Sequence, residues 1–110
     1  MSDVAADDGR GLFAGLNGRG AKRRQALKER DGNRCFYCGF KMKFLVGRFG
    51  EVNHPRFATI EHLLDRKYGG TDALTNLVLA HRRCNNDRAE MPLLQKLQSR
   101  SLFARSLDKA

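Results

Sequence analysis

Four soft metal ligands in two short pairs constrain this chain more than anything else in it. Cys35-x-x-Cys38 and His81-x-x-Cys84 each bring two ligands to one ion on a tight turn, and the long gap between the pairs makes that ion tie distant segments together. Thiolate and imidazole are preferred zinc ligands, and four of them close a tetrahedral site. The chain has three cysteines and all of them fall in the two pairs. An odd count argues against a disulfide framework. A closed four-ligand set leaves no open coordination position, so the expected Zn²⁺ is structural. No thioredoxin-like βαβ pattern surrounds Cys35-x-x-Cys38, which disfavours a redox role.

At 110 residues there is room for one domain, and a domain this small gains from a metal staple. The net charge of +9 favours a polyanionic partner. No apolar run is long enough to span a bilayer, so no membrane partner is expected. The acidic start, Met1 to Asp8, lacks a secretory h-region, and the expected location is intracellular and cytoplasmic.

Residues 1–20 hold five glycines and an acidic cluster, and read as a flexible tail in which Leu12, Phe13 and Leu16 dock locally at most. The domain is expected over 21–110. Ala21 to Arg30 are good helix formers, and Asp31-Gly32-Asn33 stops that helix. Its basic residues read mainly as a solvated face. Cys35 to Gly39 forms a knuckle, with Gly39 turning the backbone back toward the metal. A short strand is predicted at Phe44-Leu45-Val46, a loop or hairpin connection over 47–55, and strands at Ala58–Leu63 and Leu77–Ala80. Gly69-Gly70 marks the loop from Asp65 to Asp72. A short helix is predicted to begin around His81 to Cys84 and run through Arg88. A C-terminal helix over about 92–107, with Pro92 in its first turn, is expected to pack Leu93, Leu94, Leu97, Leu102 and Phe103 on the core.

Inside the zinc frame lies a second constellation: Glu61, His62, Asn76 and Asn85. Hydrolysis of a phosphodiester needs an activated water, neutralised charge and help for the departing oxygen. Histidine is the side chain suited to taking a proton from water near neutral pH. A hard dication held by few protein oxygens supplies the charge, and Glu61 and Asn85 are ligands of that kind. Each residue also has a plainer reading. His62 is then an exposed strand histidine, Glu61 a solvated strand residue, Asn76 a turn cap and Asn85 a helix cap. Neighbours on a strand point to opposite faces. Glu61 and His62 therefore share a site only if the strand is distorted or flanks the edge of a crevice.

Taken in order, Cys35-Phe36-Tyr37-Cys38-Gly39, Ala58 to His62, Gly69-Gly70 and Asn76 to Asn85 resemble the HNH endonuclease family over roughly residues 33–90. The resemblance implies an α+β fold, a small zinc-braced ββα-metal domain with flanking helices, that cuts or nicks DNA to leave 5′-phosphate and 3′-hydroxyl ends. It implies His62 as general base, Glu61 and Asn85 as ligands of a catalytic Mg²⁺ or Mn²⁺, and Asn76 as the residue fixing the loop between the strands. Arg66, Lys67, Arg82, Arg83 and Arg88 are candidates for DNA phosphates. Phe36 and Tyr37 are expected to pack around the knuckle rather than stack on bases, and His54 is expected to be a loop residue. Small free-standing relatives occur in phages beside packaging genes, which implies packaging proteins as partners. The sequence carries no clear dimer signal.

The chain departs from the family pattern at His81, where cysteine is usual, at Leu64-Asp65, where a proline often follows the strand, and at Asn85, where histidine is commoner. The competing reading is a zinc-dependent DNA-binding module without catalysis. A third is a protein-binding adaptor that uses the C-terminal leucine face.

Overall fold

The computed structural model describes residues 19–44 and 54–108. The tail expected over 1–20 and most of the connection expected over 47–55 lie outside them. So does the strand expected at Phe44-Leu45-Val46, apart from Phe44, which is not in a strand.

Helix α1 spans Arg19–Asp31, so it starts before the expected Ala21 and takes in Gly20. Gly32, at φ +85°, ends it, and its amide donates to Lys28 O at 2.7 Å. Lys28 and Arg30 in the last turn suit the negative end of the helix dipole. Arg30 does more than meet solvent. It donates to Leu74 O and Leu77 O, both at 2.8 Å, and so fastens the helix to the chain entering the second strand.

Strands β1 (Ala58–His62) and β2 (Leu77–His81) pair antiparallel in an unbroken register from Ala58 opposite His81 to His62 opposite Leu77. Every residue of β2 is buried, which explains its run of Leu77-Val78-Leu79-Ala80 without alternation. Helix α1 lies against both strands, with Leu27 fully buried among Tyr37, Met42, Leu77 and Leu79. Helix α2 (Arg82–Asp87) leaves β2 directly and completes the two-strand-and-helix unit. The fold is the small α+β, ββα-metal arrangement the sequence predicts.

The knuckle is held by Gly39 N to Cys35 O and Cys35 N to Phe40 O, both 2.9 Å, and is stitched to β2 by Phe36 N to Leu79 O at 3.0 Å. Gly39 has φ +83°, and a side chain there would also meet the Phe103 ring at 2.7 Å.

The C-terminal helix predicted over about 92–107 is two helices, α3 (Leu93–Gln98) and α4 (Leu102–Leu107). Ser101 causes the break. Its hydroxyl accepts from Ala104 N at 3.0 Å and its own amide is taken by Tyr37 O, so the backbone leaves the helical ladder and restarts. The leucine face does not form as expected either. Leu94, Leu97, Leu102 and Phe103 are exposed, and the buried residues are Lys96 in α3 and Ala104 in α4. Polar contacts of Lys96, described below, set which side of α3 faces inward. Among the described residues no helix is long and apolar enough to cross a membrane.

Candidate functional site

Two sites stand on this frame. At the first, the ligand atoms of Cys35, Cys38, His81 and Cys84 all lie within 4.8 Å of one another. Three of the four residues are buried and Cys38 is half-buried. His81 is aimed by its far nitrogen: Nε2 donates to Lys41 O at 2.9 Å. A carbonyl only accepts, so Nε2 carries the hydrogen and Nδ1 presents its lone pair to the cluster, 3.2 Å from Cys38 Sγ and 3.9 Å from Cys84 Sγ.

The thiols also call for a cation. Hydrogen bonding from Cys84, helped by nearby backbone amides, brings the Cys35 thiol down to about 4. Cys84 is pushed up by the hydrogen bond it gives Cys35 and by burial, and Cys38 is pushed up chiefly by burial. Three adjacent thiolates repel, and a dication at their centre removes that repulsion. Distances, tautomer and donor softness fit a structural Zn²⁺. Such an ion clamps the knuckle to the junction of β2 and α2.

At the second site Glu61, His62 and Asn85 border one cavity of about 360 Å³, together with Asp65, Arg66, Lys67, Ala89 and Glu90. The register of β1 is unbroken, so the strand is not distorted to achieve this. The cavity instead lies at the end of β1, where Glu61 and His62 both reach it from the strand edge.

His62 is oriented by Asp72. The two meet at 2.8 Å through His62 Nε2 and Asp72 Oδ1, and Arg66 Nη2 shares the same oxygen at 2.6 Å. The hydrogen bond from His62, supported by Arg66 and Arg23, holds the Asp72 carboxyl below the usual carboxylate range. An ionised carboxylate only accepts, so His62 carries its hydrogen on Nε2 and leaves Nδ1 as the basic nitrogen.

Glu61 is 4 % exposed. Its Oε2 accepts from the Tyr37 hydroxyl at 2.6 Å and lies 3.5 Å from Lys96 Nζ. Burial raises the Glu61 carboxyl above its ordinary value, against the opposing pull of Tyr37 and Lys96. Burial, reinforced by Glu61, pushes the Tyr37 phenol up as well, so Tyr37 stays a donor. Both of these contacts fall on Oε2, and Glu61 borders the cavity.

Asn85 is turned by its amide nitrogen, which donates to Thr59 Oγ1 and Ile60 O, each at 3.3 Å. Its oxygen is thereby directed away from β1. Asn76 does not border the cavity; it closes the interstrand loop. Its Oδ1 accepts from Leu64 N at 2.8 Å, and its Nδ2 donates to Leu64 O at 2.9 Å and Thr71 O at 2.8 Å.

A scan against protein-family models matches residues 35–90 to the HNH endonuclease family. The chain belongs to that family. No curated protein and no solved structure matches it. Membership supports a nuclease-type or DNA-related function, and the Cys₃His cluster fits the zinc-binding form of the domain.

Of the basic residues expected at DNA, Arg66 and Lys67 border the cavity and are exposed, paired with Asp72 and Glu90. Arg83 is exposed on α2 and Arg82 is half-buried there. Arg88 is different. It donates to Ser99 Oγ, Ser99 O and Cys84 O, and its guanidinium lies 4.2 Å from the Tyr37 ring centre. These contacts make it a brace between α2 and the end of α3, not a free hand for phosphate.

Sequence reasoning missed Asp72, Asp65 and Lys96, and missed that Tyr37 holds Glu61. Asp72 had one available signal, an acidic residue closing the Gly69-Gly70 loop after His62. Lys96 had none.

Proposed function

We propose that this chain is a metal-dependent endonuclease that hydrolyses DNA phosphodiester bonds, with His62 as general base. The observation that carries the reading is the His62–Asp72 hydrogen bond at the cavity that Glu61 and Asn85 also border. A histidine whose Nε2 is tied to a carboxylate has Nδ1 available for a proton from water.

Glu61 Oε1 and the Asn85 amide oxygen are the groups that would hold Mg²⁺ or Mn²⁺. Both are hard donors suited to such an ion, and the partnerless buried Asp65 Oδ2 nearby adds negative charge to the same cavity. When bound, the ion neutralises phosphate charge and eases departure of the leaving oxygen.

His62 Nδ1 takes a proton from water as the water oxygen bonds to phosphorus. The bond from phosphorus to the 3′ oxygen breaks and that oxygen takes a proton from solvent, leaving a 5′-phosphate and a 3′-hydroxyl. Asp72 stabilises the imidazolium that forms. Asn76 keeps the loop carrying Asp72 in register with β1. Arg66, Lys67, Arg82 and Arg83 supply positive charge for the strand's phosphates.

The test is plasmid nicking by zinc-loaded protein with and without Mg²⁺ or Mn²⁺, compared with His62→Ala. Cleavage should require the ion and fall by about 10²–10⁴-fold in the variant, with folding and DNA binding retained. Glu61 is buried and engaged by Tyr37 and Lys96, and that favours one rival, a zinc-braced DNA-binding module without catalysis. DNA binding by a folded wild type that never cuts, across several divalent ions, would establish the rival.

A further inference from the structure

Lys96 lies beyond the stretch matched to the family, yet its side chain ends against three residues that border the cavity. Nζ donates to His62 O at 2.6 Å and to Asp65 Oδ1 at 2.9 Å, and lies 3.5 Å from Glu61 Oε2. Its side chain is 1 % exposed. An ammonium has three hydrogens, and three acceptors surround this one.

Burying a charge is costly unless it is paired and hydrogen-bonded. Here a short helix exposes Leu94 and Leu97 in order to bury a lysine, the reverse of ordinary amphipathic packing. A local rule broken this way points to a functional or strained position. The cation is central: it touches the carbonyl of the base residue and lies against two carboxylates that border the cavity. Asp65 gives it Oδ1 and keeps Oδ2 buried without a partner.

Resting on the nuclease reading above, we propose that Lys96 is a positioning residue and tethered cation of the active site. It fixes the Glu61 and Asp65 carboxylates and the His62 carbonyl, and its charge lowers the affinity of the cavity for a divalent ion. The functional unit therefore extends through α3. Asp65 belongs to it as the fixed partner of Lys96.

The chemistry makes a directional demand. A like charge beside a cation site repels the incoming ion, so a neutral side chain of similar length should tighten binding. A merely structural lysine predicts the opposite, because loss of order weakens a site.

The experiment uses the full chain with zinc in place. Mn²⁺ binding is followed by the electron paramagnetic resonance of free Mn²⁺, and plasmid nicking is measured across Mn²⁺ concentration. Lys96→Met should bind Mn²⁺ about tenfold tighter or more, while nicking more slowly at saturation because Glu61 and His62 are no longer held. Asp65→Asn should weaken Mn²⁺ binding. Asp65→Asn/Lys96→Met should bind more tightly than Asp65→Asn by a similar factor, and this pair decides the matter if Lys96→Met alone does not fold. Unchanged or weaker Mn²⁺ binding on removing the lysine would overturn the proposal. So would failure of both lysine variants to fold beside a folded Asp65→Asn, since Lys96 would then serve folding alone. A wild type that binds Mn²⁺ and nicks without showing the charge step removes Lys96 only. A folded wild type that neither binds nor cuts removes the nuclease reading with it.

Discussion

Asp72 Oδ1 sits 2.8 Å from His62 Nε2 and accepts Arg66 Nη2 at 2.6 Å on the same oxygen. One carboxylate atom thus fixes the tautomer of the proposed base and ties it to an exposed arginine. Asp72→Ala should slow nicking by about 10–100-fold, the usual cost of losing a partner that orients a histidine. Mn²⁺ affinity should barely change, because Asp72 lies outside the proposed ligand set. Nicking rates at saturating Mn²⁺ check this. A rate equal to that of wild type would separate Asp72 from catalysis.

Arg83 and Arg88 both flank Asn85 in sequence but have opposite fates. Arg83→Ala should weaken DNA binding and lower the slope of log affinity against log salt by about 1. Arg88→Ala removes three hydrogen bonds and a cation–π contact. It should lower the stability of the domain by about 2 kcal/mol or more. Salt-dependent DNA titration and thermal melting of both variants distinguish the two roles. A larger loss of DNA contacts from Arg88 than from Arg83 would reverse the assignment.

Gly69 and Gly70 are adjacent and differ in what they tolerate. Gly69 has φ +94° with open space around its missing side chain, so alanine there meets only backbone strain of about 1 kcal/mol. A side-chain carbon at Gly70 would overlap Leu64 O and lie 3.0 Å from Asn76 Nδ2. Gly70→Ala must displace the backbone that Asn76 clamps, at a cost of about 3 kcal/mol or more. Melting temperatures should rank wild type above Gly69→Ala, and Gly69→Ala above Gly70→Ala.

The zinc frame carries folding. Purified protein should contain one zinc per chain, and removing it with a chelator or by Cys35→Ser should unfold the domain. Metal analysis with circular dichroism reads both. A metal-free chain that keeps its helices and its cooperative melt would refute the structural role.

What the sequence disclosed and what it hid divide along physical lines. The Cys₃His frame was legible because each ligand pair is local, and the x-x spacing alone fixes two donors on one turn. Asn76 was legible in the same way, as a loop residue that satisfies nearby backbone groups. Sequence alone does not decide between a distorted strand and a crevice edge for Glu61 and His62, since that depends on where β1 ends relative to packed neighbours. Tyr37 on Glu61 and Asp72 on His62 depend on tertiary approach, and no periodicity encodes that. Lys96 was hidden by the leucines around it: an amphipathic reading turns Leu94 and Leu97 inward, whereas hydrogen bonds to His62 O and Asp65 turn the helix the other way. Ser101 hid the break between α3 and α4 because a serine cap is common and only its contacts with Ala104 and Tyr37 make it decisive.

Glu61 gives the domain a pH signature. Burial raises its folded-state value above the ordinary carboxylate value near 4.5, outweighing Tyr37 and Lys96. The native state therefore keeps the proton to higher pH than the unfolded chain does. Below the unfolded value both states are protonated and no penalty exists. As pH rises from there through the raised folded value, ionising Glu61 costs the native state progressively more, and above it the cost is constant. Glu61→Gln has no proton to lose at this position. The melting temperature of wild type relative to Glu61→Gln should accordingly fall as pH rises from about 4.5 toward neutrality, then level off. Parallel melts of the two proteins in excess zinc measure the difference directly. A gap that widens in favour of wild type over that range would mean that Tyr37 and Lys96 outweigh burial, and that the carboxylate, not the acid, is the form the fold prefers.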